Sequence, residues 1–141
     1  MKIIFVCHGS ICRSPAAEYI FKMLSSEHEV MSRALSHEEI GNDIYPPMKS
    51  ELRRNNIPFA IHHATYLTDK EFNECDYLFY MDKSNYRLLH NRFGDNDKMK
   101  PISIFTNDID EIEDPWYTDN YQKVVNQIYK CIKDIIKNIS V

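Results

Sequence analysis

The chain has 141 residues, 43% of them hydrophobic and only 3 Gly, and its 21 Asp and Glu outnumber 17 Lys and Arg for a net charge of −4. A chain of this length is expected to form one domain, residues 1–141, that buries about two thirds of its unfolded surface without staples. The acidic balance argues against nucleic acid or an anionic membrane as partner, and no apolar run approaches the ~20 residues of a membrane span.

In chain order, Ile3-Ile4-Phe5-Val6 is a β-branched and aromatic run ahead of a Gly-containing turn, which predicts a short buried strand with Cys7 at its carboxyl end. The run is too short for the apolar core of a secretory leader, at least ~7 residues, so a cytoplasmic location is expected. Ser14-Pro15 offers an N-cap oxygen and then the helical position where a missing N–H costs nothing, so a helix is expected to begin there. Ala16, Tyr19, Ile20, Met23 and Leu24 continue it as an apolar stripe. Residues 29–35 predict a second strand and 36–39 a polar loop.

Pro46-Pro47 starts a helix with body 48–55, and Asp69 is expected to cap a short turn through Phe72. Residues 77–81 predict a buried strand, 83–93 a helix ended by Gly94, and 102–105 the fourth strand. From residue 121 to 139, Tyr121, Val124, Val125, Ile128, Cys131, Ile132, Ile135, Ile136 and Ile139 recur at spacings of three and four, the mark of a packing helix. Strands alternating with helices imply a parallel α/β sheet. Ligands in such folds bind beyond the strands' carboxyl ends, where Cys7 lies.

The loop after the first strand, Cys7-His8-Gly9-Ser10-Ile11-Cys12-Arg13-Ser14, is a Cys-x5-Arg stretch between strand and helix. Backbone N–H groups along residues 8–14, with the positive end of the following helix, converge on one point and favour a phosphate. The same field favours Cys7 as a thiolate nucleophile. Arg13 can hold two equatorial phosphoryl oxygens with its planar fork. Such chemistry also needs a proton donor for the leaving oxygen. Asp114 is the candidate, in the acidic stretch 107–117, with Pro115 fixing the local backbone and Trp116-Tyr117 able to exclude water. Asp108-Ile109-Asp110 superficially matches an aspartyl-phosphate motif, but Ile112 stands where a hydroxyl is needed.

Cys7, Cys12, Cys75 and Cys131 form no evident disulfide framework, and Cys131 is expected in the core. With no Cys-x2-Cys pair and six scattered His, no metal site is expected.

Residues 7–14 together with Asp114-Pro115-Trp116-Tyr117, in that order, resemble the low-molecular-weight protein tyrosine phosphatase family. Ile40-Gly41-Asn42, His62 with Ala64 and Thr68, and Tyr77-Leu78 running into Met81-Asp82-Lys83-Ser84-Asn85 agree, so the match spans nearly the whole chain. The resemblance implies a flavodoxin-like three-layer sandwich: a four-stranded parallel sheet with helices on both faces, acting without metal or cofactor. Cys7 would form a cysteinyl-phosphate, Arg13 clamp the phosphate, Ser14 donate to the thiolate, and Asp114 serve as general acid and then base. His8, Gly9, Ser10, Ile11, Cys12, Arg13 and Ser14 would bind phosphate, and Ile11, Trp116 and Tyr117 would wall the substrate pocket. Cys12 would form a protective reversible disulfide with Cys7. Substrates would be phosphotyrosine proteins or aryl phosphates, with inorganic phosphate released by a monomer.

Two positions depart from the family. Ser10 replaces an Asn that braces the turn in a left-handed conformation, with Ser32 and His62 at the bracing positions. Glu38 stands where many members carry an aromatic wall, so half of that clamp is either absent or supplied by Tyr45. Arsenate reductases share loop and fold, but their extra cysteine pair is missing from residues 82–92, and Cys75 alone does not replace it. Phosphoarginine phosphatases resemble the chain but carry Thr at the position of Ile11, where a hydrophobic residue suits an aromatic substrate better.

Overall fold

The computed structural model describes residues 1–139. Its first strand, β1 (Lys2–Cys7), is apolar on both sides because both sides are covered. Ile3 and Phe5 join one apolar cluster with Phe79, while Ile4 and Val6 join another with Leu78. The first cluster is closed by α1 (Arg13–Leu24), α2 (Pro46–Arg54) and α6 (Tyr121–Ile139). The second is closed by α3 (Asp69–Glu74) and α4 (Lys83–Phe93).

Between these layers β2 (Glu29–Ala34), β1, β3 (Tyr77–Tyr80) and β4 (Met99–Pro101) form a parallel sheet in the order β2-β1-β3-β4. β1 is in register with β2 from Lys2 opposite Glu29 to Cys7 opposite Ala34. The architecture is the expected three-layer α/β sandwich, and Cys7 lies at the carboxyl end of an inner strand. Along α6 the side chains of Val124, Ile128, Cys131, Ile132 and Ile135 are completely buried. Removing one such side chain, as in Ile132→Ala, costs about 2–5 kcal/mol. Among the described residues no helix is long and apolar enough to cross a membrane.

Three local expectations are corrected. The fourth strand is β4, not the apolar run at 102–105. Ile102 N–H still donates to Tyr80 O at 2.9 Å, but Ile104 N–H turns back to Pro101 O at 3.0 Å, leaving Ile104 and Phe105 exposed. Because β4 is an edge, Pro101 is tolerated there without its missing donor. The N-cap of α1 is Cys12 rather than Ser14, which lies inside the first turn with its hydroxyl committed to the loop. The cap of α3 is Thr68, whose hydroxyl accepts from Glu71 N–H while Glu71 Oε1 accepts from Thr68 N–H. Asp69 instead accepts from Arg92 Nη2 at 2.7 Å.

Candidate active site

The loop between β1 and α1 brings Ser14 back against Cys7. Ser14 N–H points at Cys7 Sγ from 3.4 Å, and Ser14 Oγ lies 3.3 Å from the same sulfur. Cys7 is 3% exposed, so a negative charge on sulfur depends on these donors and on the helix start. Ser10 takes the left-handed backbone conformation, φ 58°, and His62 Nε2 donates to its carbonyl at 2.7 Å. Glu39 packs across Gly9: a Cβ added there would meet Glu39 Cγ at 3.1 Å, so a side chain would force the two apart.

The brace expected from Ser32 is not made. Ser32 Oγ donates to Glu18 Oε1 at 2.5 Å, and Lys22 holds the other oxygen of that carboxylate. Serine at position 10 has too short a side chain to engage it, so Ser10 Oγ contacts Ser14 Oγ at 2.8 Å.

Arg13, 2% exposed, extends from the first residue of α1 across the sheet edge. Its Nη1 donates to Asp82 Oδ2 at 2.7 Å and to Ile112 O at 2.9 Å. Burial opposes its charge, but Cys7, Asp82 and Asp114 outweigh that and raise its pKa above the ordinary arginine value. Asp82 caps α4 by accepting from Asn85 N–H at 2.8 Å, so one carboxylate fixes both a helix start and the guanidinium. The sequence reading overlooked Asp82 as a site residue. Its position directly after a strand's carboxyl end, opening a helix, was the available signal.

Asp114 caps the short helix α5 (Pro115–Thr118), its Oδ1 accepting from Trp116 N–H at 3.0 Å. Its Oδ2 lies 3.6 Å from Arg13 Nη2. Glu113, one residue earlier, ties this segment to α6 through Lys123 Nζ at 2.6 Å and Asn120 Nδ2 at 3.0 Å. Cys7, Arg13 and Asp114 therefore meet from three separate elements around one cleft of about 150 Å³.

Ile11, Trp116 and Tyr117 line that cleft, together with His8 and the carboxylates Glu38 and Glu39. Glu38 Oε2 pairs with His8 Nε2 at 3.0 Å. Tyr45 supports Trp116 from behind, with ring centroids 4.8 Å apart, while Glu38 occupies the mouth. Cys12 lines the cleft at 4% exposure. Burial, then the charges of Cys7 and Asp114, push its thiol far above the ordinary cysteine range, Arg13 opposing in part. Cys75 belongs to the cluster on the other face of the sheet, its Sγ against Phe72 O at 3.3 Å.

The family model described as low molecular weight phosphotyrosine protein phosphatase matches residues 2–140. The low molecular weight phosphotyrosine protein phosphatase of Homo sapiens is 31% identical, covering 96% of this chain and 93% of its own. The crystal structure of YfkJ from Bacillus subtilis superposes with a TM-score of 0.91 at 29% identity, covering 99% of this chain and 94% of that one. The YwlE arginine phosphatase from Geobacillus stearothermophilus shares the fold, with a TM-score of 0.86 at 23% identity and coverages of 98% and 92%. With Cys7, the buried guanidinium of Arg13 and the carboxylate of Asp114 around one cleft of this sheet, and a family match over residues 2–140, the chain belongs to the low molecular weight phosphotyrosine protein phosphatase family of hydrolases.

Proposed function

We propose that Cys7, Arg13 and Asp114 carry phosphotyrosine hydrolysis in two steps. The Cys7 thiolate attacks phosphorus, a P–S bond forms, and the P–O bond to the tyrosine ring breaks as Asp114 protonates the departing oxygen. Water then attacks phosphorus, giving its proton to Asp114, and the P–S bond breaks to release inorganic phosphate and regenerate the thiolate. Arg13, pinned by Asp82 and Ile112 O, presents its fork to the equatorial oxygens throughout. Loop N–H groups of residues 8–14 hold the phosphoryl group, and Ile11, Trp116 and Tyr117 flank the ring. No metal or cofactor has a part in this scheme.

The observation that carries the reading is the convergence of sulfur, guanidinium and carboxylate on one cleft. Substrates are phosphotyrosine proteins and, with the same ring, aryl phosphates. The protein acts as a single-domain monomer in the cytoplasm, where reducing conditions keep the Cys7 thiol free. Hydrolysis of p-nitrophenyl phosphate in excess chelator tests the mechanism. Activity is expected without metal, inhibited by vanadate and lost in Cys7→Ser; activity that survives Cys7→Ser or requires magnesium overturns it.

A phosphoarginine substrate is the second reading, favoured by the Glu38 carboxylate at the mouth, which suits a guanidino group. Ile11 and Trp116 favour the aromatic ester. A higher kcat/KM on phosphoarginine than on phosphotyrosine in the same peptide decides for the second reading.

A further inference from the structure

We propose that Asn85 is a positioning residue for the Arg13 guanidinium, acting through the backbone of Met81 and Ile112 from outside the cleft. The inference rests on the proposed role of Arg13 as phosphate clamp and assigns what aims that clamp from behind.

β3 stops pairing with β1 at Phe79 and with β4 at Tyr80, so the N–H of the next residue, Met81, falls beyond both ladders. Met81 is 1% exposed, and a buried N–H without an acceptor is costly. Asn85 Oδ1, in the first turn of α4, accepts from it at 3.0 Å. A backbone N–H can only donate, so the Asn85 amide must present its oxygen there. Asn85 is itself 1% exposed, and a buried amide is tolerated because it meets this partner.

From Met81 the contacts run on to the cleft. Met81 O accepts from Ile112 N–H at 2.9 Å, and Ile112 O accepts from Arg13 Nη1 at 2.9 Å. The other acceptor on that nitrogen is Asp82 Oδ2 at 2.7 Å, and Asp82 follows Met81 directly in the chain. Met81 therefore sets both acceptors, one through a hydrogen bond and one through a peptide bond. Ile112 is completely buried, so water does not stand in for its partners. It also lies two residues before Asp114, so the same bond steadies the segment of the proposed proton donor.

Without the Asn85 oxygen, the Met81 peptide turns to find another acceptor. Ile112 O and Asp82 turn with it, and the Arg13 fork loses its aim. A slightly misaimed fork still meets tetrahedral phosphate, but it fits the flatter transferring group less well. The loss belongs mainly in kcat, and in the affinity for vanadate, whose five-coordinate adduct resembles the transition state.

Asn85→Leu keeps the volume and removes the acceptor. Calorimetry is expected to show vanadate bound about 5- to 30-fold more weakly, with inorganic phosphate weakened less than about threefold. On p-nitrophenyl phosphate, kcat is expected to fall about 10- to 50-fold with KM changed less than about threefold. Deuterium exchange at the Ile112 amide should quicken about tenfold or more. Asn85→Asp, whose carboxyl oxygen still accepts from Met81 N–H, is expected to recover vanadate binding to within about threefold of the parent. Ile132→Ala, remote in α6, controls for stability: its Tm falls at least as far while vanadate binding stays parental. Should Asn85→Leu fail to fold, Asn85→Ala removes the same acceptor without crowding the site.

Parental vanadate binding and Ile112 exchange in the folded acceptor-less variant overturn the proposal. So does an Asn85→Asp variant as weak as Asn85→Leu, or an Ile132→Ala variant that loses vanadate equally. Vanadate binding and amide exchange need no turnover, so they read Asn85 even if the parent fails on aryl phosphate, in which case the mechanism proposed above falls alone.

Discussion

Asp82 Oδ2 accepts from Arg13 Nη1 at 2.7 Å while its Oδ1 caps α4, so the guanidinium is aimed by a carboxylate that is itself fixed by a helix start. Hydrogen bonds to charged groups are worth about 1.5–3 kcal/mol. Asp82→Asn keeps a cap but loses the charge and is expected to reduce kcat/KM about 10- to 100-fold, since a misaimed fork fails most in the transition state. Asp82→Ala should in addition lower stability by about 1 kcal/mol through the lost cap. Steady-state kinetics beside urea denaturation separate the two effects.

The pair Cys7 and Asp114 predicts a bell-shaped dependence of kcat/KM on pH, because the reactive form needs a thiolate and a protonated acid together. Asp114→Asn is expected to lower kcat by about 10²- to 10⁴-fold and to flatten the alkaline limb. An aryl phosphate with a very good leaving group should recover much of that loss in the first step, because its oxygen departs without a proton. Rapid-quench kinetics on two leaving groups check this.

Cys12 is held as a neutral thiol by burial and by the neighbouring negative charges. Peroxide is then expected to oxidise Cys7 to a sulfenic acid, which condenses with the Cys12 thiol to form a disulfide and release water. Dithiothreitol should restore activity to the oxidised parent. Cys12→Ser should lose activity progressively beyond rescue, as sulfinic acid accumulates, which intact-mass measurement detects as two added oxygens.

Glu113 is lowered to about 2, first by Lys123 and then by Thr118 and Asn120, and Asp43 is lowered to about 2, first by Lys49. Both pKa values are depressed by folding, so their contribution to stability is fully present above the ordinary carboxylate range and is lost as pH falls from about 4.5 towards 2. Urea midpoints between pH 6 and pH 3 are expected to fall in the parent. They should fall less steeply in Glu113→Gln, which starts from a lower value at neutral pH.

Glu38 and Glu39 line the mouth, and the nearby His8 is already paired with Glu38. Phosphotyrosine peptides with Lys or Arg beside the phosphorylated residue are expected to give kcat/KM about two- to fivefold above acidic ones, an advantage that shrinks in salt. Glu38→Lys should reverse the order.

The residues between strand and helix were legible because their chemistry and their local structure coincide: a buried run, a Gly, a Cys and an Arg leave few other uses for the turn. Asp114 was legible as a candidate acid from its Pro-Trp-Tyr context. Elsewhere several uses competed for one pattern. Residues 102–105 carry an apolar strand signal, yet the chain pairs with β3 through Met99–Pro101 and turns at once, where Thr106 N–H donates to Ser103 O and Ser103 Oγ to Asp110 O, closing the loop that leads on to Asp114. Ser32 was expected at the loop from resemblance alone; the buried carboxylate of Glu18 captures its hydroxyl, a contact between α1 and β2 that no local pattern reveals. Asp82 reads as a helix cap in sequence, and only the sheet's order puts Arg13 within its reach.

The split of β1 between two buried clusters has a consequence for how the molecule breathes. Amides of Ile3, Ile4 and Phe5 are enclosed from both sides and should exchange with solvent deuterium only through global unfolding. The segment bearing Asp114 hangs on the partly exposed Glu113–Lys123 latch and Ile112, and should exchange through local opening. On that expectation Cys7, the proposed nucleophile, ends a slowly exchanging strand and Asp114, the proposed proton donor, sits on a faster-exchanging segment, an arrangement that would let Asp114 swing aside to admit and release ligands while the loop after β1 stays formed.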